Sequence, residues 1–100
     1  MVYCIDIDGT LCSVTVDDPG YIAPIPYTDR IRKVNGLYHE GHTIIIHTGR
    51  HWNYLQHTIS QLQKWGVLYH TLIMGKPVAD VYVDDRAIDD IDFFERQRDE

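Results

Sequence analysis

Residues 3–12 read YCIDIDGTLC. An apolar run ends in two aspartates, Asp6 and Asp8, one residue apart, and Gly9-Thr10 follow at once. An Asp-Gly pair by itself makes a turn. A second acid two residues earlier adds nothing to that turn and brings two like charges together. Residues i and i+2 of a strand point the same way, so Asp6 and Asp8 face one side unless the backbone turns at Gly9. The stretch reads as a buried strand over 2–7 whose C-terminal end carries paired carboxylates.

Outward from this strand, apolar runs and helical patterns alternate. Residues 11–27 are irregular, broken by Asp17-Asp18-Pro19-Gly20, Pro24 and Pro26. Thr28 is placed to cap a helix over 29–40, with Ile31, Val34 and Leu37 on one face and Gly41 as its stop. The β-branched run TIIIH predicts a strand over 43–47. Leu55, Ile59, Leu62 and Trp65 share one side of a helix over 52–65 that Gly66 ends. A further apolar run covers 67–74, ADVYV predicts a strand over 79–83, and a last helix is expected over 87–96 with Ile88, Ile91 and Phe94 or Phe93 inward. Apolar strands alternating with helices imply a mostly parallel sheet covered on both faces. The expected fold class is α/β: a three-layer α/β/α, Rossmann-like domain with about four strands, occupying residues 1–100 as one unit.

Composition narrows the function classes. With 44% hydrophobic and 24% charged residues the chain has the make-up of an ordinary soluble domain. No apolar run approaches the roughly 20 residues of a membrane span, and MVYCIDIDG has no basic region or long apolar core of a signal peptide, so a cytoplasmic protein with no membrane partner is expected. The net charge of −6 argues against nucleic acid held on a broad basic face. It leaves room for a small phosphorylated substrate at a locally cationic site. Two cysteines make neither a disulfide framework nor a zinc site, and Cys4 is expected to be a small buried side chain.

The polar residues fall where strands end. After Asp6 and Asp8 come Thr48-Gly49-Arg50 behind the second strand, Gly75-Lys76-Pro77 behind the third and Asp84-Asp85-Arg86 behind the fourth. In a parallel sheet these ends lie along one edge, where open α/β folds bind ligands. Asp6, Asp8, Asp84 and Asp85 together would demand a cation, and Mg2+ suits carboxylates combined with a substrate phosphate. Lys76 and Arg50 offer positive charge to an anionic substrate, while Thr48 and the Gly49 amide can donate to phosphoryl oxygens. The set also suits covalent catalysis, in which one carboxylate attacks phosphorus and a second manages the proton.

These residues resemble the motifs of the haloacid dehalogenase superfamily, whose commonest members are Mg2+-dependent phosphatases. Asp6-Ile7-Asp8-Gly9-Thr10 is similar to its D-x-D-G-T motif, Thr48 in IIIHTGR to its second, Lys76 in MGKP to its third, and Asp84-Asp85 in VYVDDR to its acidic fourth. The resemblance implies that Asp6 is the nucleophile and Asp8 the general acid/base. It implies Mg2+ on the Asp6 side chain, the Asp8 backbone carbonyl and an acid of the last motif, with Asp85 as direct ligand and Asp84 bridged through water. Lys76 would stabilise the nucleophile and the transferring phosphoryl group. Residues 11–27 are too few for a cap domain, and only one helix and one strand fit between Arg50 and Lys76. The chain thus resembles capless members, which include sugar-acid phosphatases and polynucleotide 3′-phosphatases, and is similar to short proteins of capsule and surface-sugar biosynthesis. Capless members accept large substrates or close the site with another subunit, so a homo-oligomer completing the site is expected.

Plainer readings stand beside these. Lys76 could be a solvated loop lysine, and Arg50 could pair with an acid of the fourth motif instead of phosphate. His47 and His51 have a ligand-like spacing, but a strand and a turn separate them, which favours ordinary polar roles over zinc. His51 and Trp52 sit where they could line a substrate mouth, and Tyr21 and Tyr27 lie in a loop that could cover it. Asp89 and Asp90 suit the N-terminus of the last helix. A chain that binds phosphate or metal without turnover is the non-enzymatic alternative.

Overall fold

In the computed structural model, which describes residues 1–14 and 23–96, the N-terminal apolar run forms β1 (Val2–Ile5). Next come α1 (Thr28–His39), β2 (Thr43–His47), a 3₁₀ turn (Trp52–Tyr54) running into α2 (Leu55–Lys64), β3 (Thr71–Ile73) and α3 (Asp90–Phe94). The strands form a parallel sheet in the order β1-β2-β3. The expected breakers Asp17 to Gly20, and Tyr21, lie outside the described residues. Among the described residues no helix is long and apolar enough to cross a membrane.

Register decides which face is the core. Tyr3 lies opposite Ile44, Ile5 opposite Ile46, and Ile46 opposite Leu72. All five face one way, and Ile5, Ile44 and Ile46 are buried. Both strand-to-strand connections step the same way across the sheet, and right-handed crossovers then put α1 and α2 on one face. The packing agrees. Ile31 and Val34 of α1 and Leu62 of α2 join Ile5, Ile7, Leu11, Cys12, Ile44, Ile46 and Val67 in one apolar cluster, with Phe94 of α3 packed against it. At about 25 cal/mol per Å2 of apolar surface, this burial is the main driving force for the fold.

The other face, made of Val2, Cys4, Thr43, Ile45, His47, Thr71 and Ile73, holds no buried residue. The described residues therefore form three strands with helices on one face, where about four strands and three layers were expected. Cys4 is exposed rather than buried because it points to that second face. Residues 79–83 form no strand: Val81 is 73% and Val83 95% exposed, and among the described residues β1 pairs with β2 alone. A ladder partner makes a strand, not composition alone. Here the Tyr82 hydroxyl donates to the Pro77 carbonyl and accepts from the Ala79 amide, folding the segment back on itself.

Smaller differences have local causes. The Tyr27 amide donates to the Leu11 carbonyl at 2.8 Å, which sets the entry to α1. Tyr27 is the N-cap position and Thr28 the first helical residue, with no side-chain cap. The last helix begins at Asp90, not 87, because Asp89 is extended and its carboxylate accepts from the Ile91 amide at 2.9 Å. That is the helix N-terminus role expected of Asp89. Asp90, in the first turn of α3 as expected, also accepts from Arg30 at 2.7 Å, tying α3 to α1.

Candidate active site

Past Ile5 the chain leaves the ladder and turns tightly. The Ile7 carbonyl accepts from the amides of Thr10 at 3.0 Å, Leu11 at 2.7 Å and Cys12 at 3.3 Å. The Gly9 amide donates to the Cys12 carbonyl at 2.8 Å. Gly9 has φ +80°, a left-handed conformation open to glycine and strained for other residues, so it is the hinge of this turn. Ile7 and Leu11 anchor the loop in the core from beneath. Asp6 and Asp8 are thereby held half-buried at the C-terminal end of β1.

The two aspartates have different surroundings. Asp6 accepts from the Thr10 hydroxyl at 3.3 Å. Burial raises its carboxyl above the ordinary range; the Lys76 ammonium, the Ile7 amide and Thr10 pull it back, and the Asp8 charge adds to the rise. Asp8 is clamped by Arg50, whose Nε donates to Oδ2 and whose Nη2 donates to Oδ1, both at 2.9 Å. The buried Cys12 thiol also donates to Asp8 Oδ1, at 3.7 Å. Burial, followed by the Asp8 charge, pushes that thiol up to about 12, so it stays protonated near neutral pH.

The loop after β2 is fixed against the loop after β3. Thr48 is fully buried; its amide donates to the Ile73 carbonyl at 3.0 Å and its hydroxyl accepts from the Arg50 amide at 3.1 Å. Its carbonyl accepts from the Lys76 amide at 2.8 Å, and the Arg50 carbonyl accepts from the Gly75 amide at 3.0 Å. A Cβ on Gly49 would meet Val78 Cγ2 at 3.3 Å and the Lys76 carbonyl at 3.4 Å, so glycine lets these loops approach. Exposed Trp52 lies against Gly75, where an added Cβ would meet the indole Nε1 at 3.3 Å. The Lys76 ammonium sits 4.2 Å from the centre of the Tyr82 ring.

Asp6, Asp8, Arg50 and Lys76 therefore share one end of the sheet, with Thr48 and Gly49 shaping the loop between them. Asp84 and Asp85 are exposed. Asp84 accepts from the Arg86 amide at 2.9 Å, and that bond holds its carboxyl below the usual value; Asp85 pairs weakly with Arg86 at 4.0 Å. Among the described residues no three Asp, Glu, His or Cys side chains gather as a metal-holding group. Asp8 and Arg50, 42 residues apart, form a pair that neither suggested role for Arg50 anticipated. Thr58, which accepts from Arg50 Nη1 at 3.2 Å, was also missed. Its signal was a polar residue on the Leu55, Ile59, Leu62 stripe of α2.

No family model matches this chain, and no curated protein does. Two solved structures are similar to it. A crystal structure of an MCSG target from Vibrio cholerae superposes with a TM-score of 0.75 at 27% identity, over 96% of this chain and 89% of that one. A chain of the Pnkp1/Rnl/Hen1 complex superposes with a TM-score of 0.62 at 26% identity. That match takes in 94% of this chain, which spans about a third of the other's length (33%). Both likenesses are compatible with a haloacid dehalogenase-like fold.

Proposed function

We propose that this chain is a phosphomonoesterase of the haloacid dehalogenase type that works through a covalent aspartyl-phosphate. The observation that carries the reading is the contrast between two neighbouring carboxyls: Asp6 lies in the field of Lys76, while Asp8 is gripped by Arg50. A nucleophile and a proton-transfer group need different environments of this kind.

In the proposed reaction an Asp6 oxygen attacks phosphorus and the bond from phosphorus to the leaving oxygen breaks. The protonated Asp8 carboxyl gives its proton to that oxygen, releasing an alcohol. Water then attacks the aspartyl-phosphate and yields its proton to the Asp8 carboxylate. The bond from phosphorus to Asp6 breaks and inorganic phosphate leaves. Lys76 offsets negative charge at both steps. The Gly49 amide and Arg50 are the remaining expected phosphate contacts, though Arg50 is already engaged with Asp8.

Mg2+, when bound, would screen the charge between carboxylate and phosphate. The donor set fits it in part. Asp6 is a half-buried carboxyl raised chiefly by burial, with the Asp8 charge adding to the rise, and a hard cation would favour its ionised form; the resemblance would add the Asp8 backbone carbonyl. Asp85, with Asp84, would complete the set only by approaching this end of the sheet from the segment after Lys76. A second subunit covering the site would serve the same capless arrangement.

The substrate proposed is a phosphorylated sugar or related small metabolite, turned over in the cytoplasm. A polynucleotide 3′-phosphatase is the second reading, favoured by the likeness to a chain of the Pnkp1/Rnl/Hen1 complex and opposed by the charge of −6. Purified protein should hydrolyse p-nitrophenyl phosphate only with Mg2+, and Asp6→Asn should lose at least about a thousandfold in rate. Undiminished turnover in that variant would remove the nucleophile assignment. A panel of sugar phosphates against a 3′-phosphorylated oligonucleotide separates the two substrates; phosphate binding with no turnover on either points to a binding module.

A further inference from the structure

We propose that Arg50 is a positioning residue for Asp8, and that Thr58 of α2 anchors it; the inference rests on the phosphatase reading. The guanidinium meets the carboxylate through two bonds, Nε to Oδ2 and Nη2 to Oδ1, both 2.9 Å. A bidentate fork fixes orientation as well as distance, which a lysine ammonium cannot do. The third nitrogen, Nη1, donates to Thr58 Oγ1 at 3.2 Å, and Thr58 is fully buried. The Arg50 side chain is 14% exposed and that of Asp8 29%, so water competes little for these bonds.

The backbone of Arg50 is pinned as well. Its amide donates to Thr48 Oγ1 and its carbonyl accepts from the Gly75 amide. A carboxylate offers about four lone-pair sites; the fork uses two and the Cys12 thiol a third, on Oδ1, which leaves one on Oδ2. Asp8 can therefore exchange a proton with a leaving oxygen or with water while Arg50 keeps its plane. An arginine that clamped a phosphate bidentately through its Nε and Nη2 edge would have to abandon Asp8. The geometry thus assigns the Nε–Nη2 edge of Arg50 to Asp8 and not to the substrate.

The test compares Arg50→Lys and Arg50→Ala with the wild type on two phosphomonoesters. p-Nitrophenolate leaves without a proton, whereas the alkoxide of glycerol phosphate needs one. Positioning of Asp8 predicts a fall in kcat with KM within about threefold, and a loss on glycerol phosphate at least about tenfold larger than on p-nitrophenyl phosphate. Added guanidinium should restore Arg50→Ala, and Arg50→Lys should not recover the alkyl substrate. A rise in KM with kcat unchanged, equal on both substrates, would overturn the proposal in favour of phosphate binding. A second measurement is independent of turnover. The Arg50 Nε–H resonance of the wild type should exchange slowly with solvent and lose that protection in Asp8→Ala. A fast-exchanging Nε–H in the wild type overturns the proposal. A wild type that hydrolyses neither ester overturns the phosphatase reading instead, whatever the resonance shows.

Discussion

The loop closing β1 and the segment following Lys76 both carry acids expected at the site, yet they are built by opposite means. Around Asp6 and Asp8, one carbonyl, that of Ile7, collects three amides, and Ile7 and Leu11 have no exposed surface. Arg50 arrives from another loop to tie Asp8 down. Around Asp84 and Asp85, Val81, Val83 and Ile88 are exposed and the hydrogen bonds reach only a few residues along the chain. The first loop is held by the core and the second by itself. An acid's position is well determined only where the backbone beneath it is packed, since exposed local bonds contribute little against water.

The sharpest way to break this comparison is to remove a methyl cluster from each region. Ile46→Ala, at a fully buried position beneath the site, should cost about 2–5 kcal/mol. Val83→Ala should change stability by no more than about 0.5 kcal/mol, as at other exposed positions. Urea unfolding measures both. A cost above about 1.5 kcal/mol at Val83 would mean that the segment packs in solution, with the edge of β1 that pairs with no described strand as the place to look.

Next in size is the hinge. Gly9→Ala places a side chain at φ +80°, with its Cβ 3.3 Å from Val14 Cγ2. The left-handed backbone should cost about 1–2 kcal/mol, and the Val14 contact can yield. The matching change in the other region, Ala79→Gly, should lower stability by well under 1 kcal/mol, because that backbone is not in a helix or strand. Equal losses at the two positions would dissolve the distinction between the loops.

Much of the packed region could be read from the sequence. The spacing of Ile31 and Val34, the alternation of Ile44 and Ile46, and Gly41 and Gly66 as stops are local signals, and local signals survive into the fold. Which face would hold no buried residue was not legible, because Cys4 and Ile5 look alike until it is known which side the described helices cover. Nor was the fate of 79–83: ADVYV has the composition of a strand, and composition does not say whether a partner edge is near. At the site, the spacing of Asp6 and Asp8 spoke for their chemistry. Their different partners depend on contacts from residues 48–50, 58 and 76, which no spacing within YCIDIDGTLC encodes.

Thr58→Val sharpens the comparison from the α2 side. It removes the acceptor for Arg50 Nη1 in a buried place and should cost about 1 kcal/mol. If Arg50 is anchored there, the variant should also loosen Asp8, seen as faster exchange of the Arg50 Nε–H. Unchanged exchange with the same stability loss would make Thr58 a packing residue alone.

The smallest expected effect concerns Asp6 and carries a sign. Its carboxyl is raised above the ordinary value, chiefly by burial, so the folded chain holds that proton more tightly than the unfolded chain. Ionised Asp6 therefore subtracts from stability above its folded pKa, and the penalty fades as pH falls through that value to the ordinary carboxylate range. Asp6→Asn removes the penalty while keeping an oxygen for the Thr10 hydroxyl. The inactive variant should melt about 1–4 °C above the wild type at pH 7, and the two should converge near pH 3. A variant that melts lower at pH 7 would mean that the attraction of Lys76 outweighs burial, and that the packed loop stores no strain at its nucleophile.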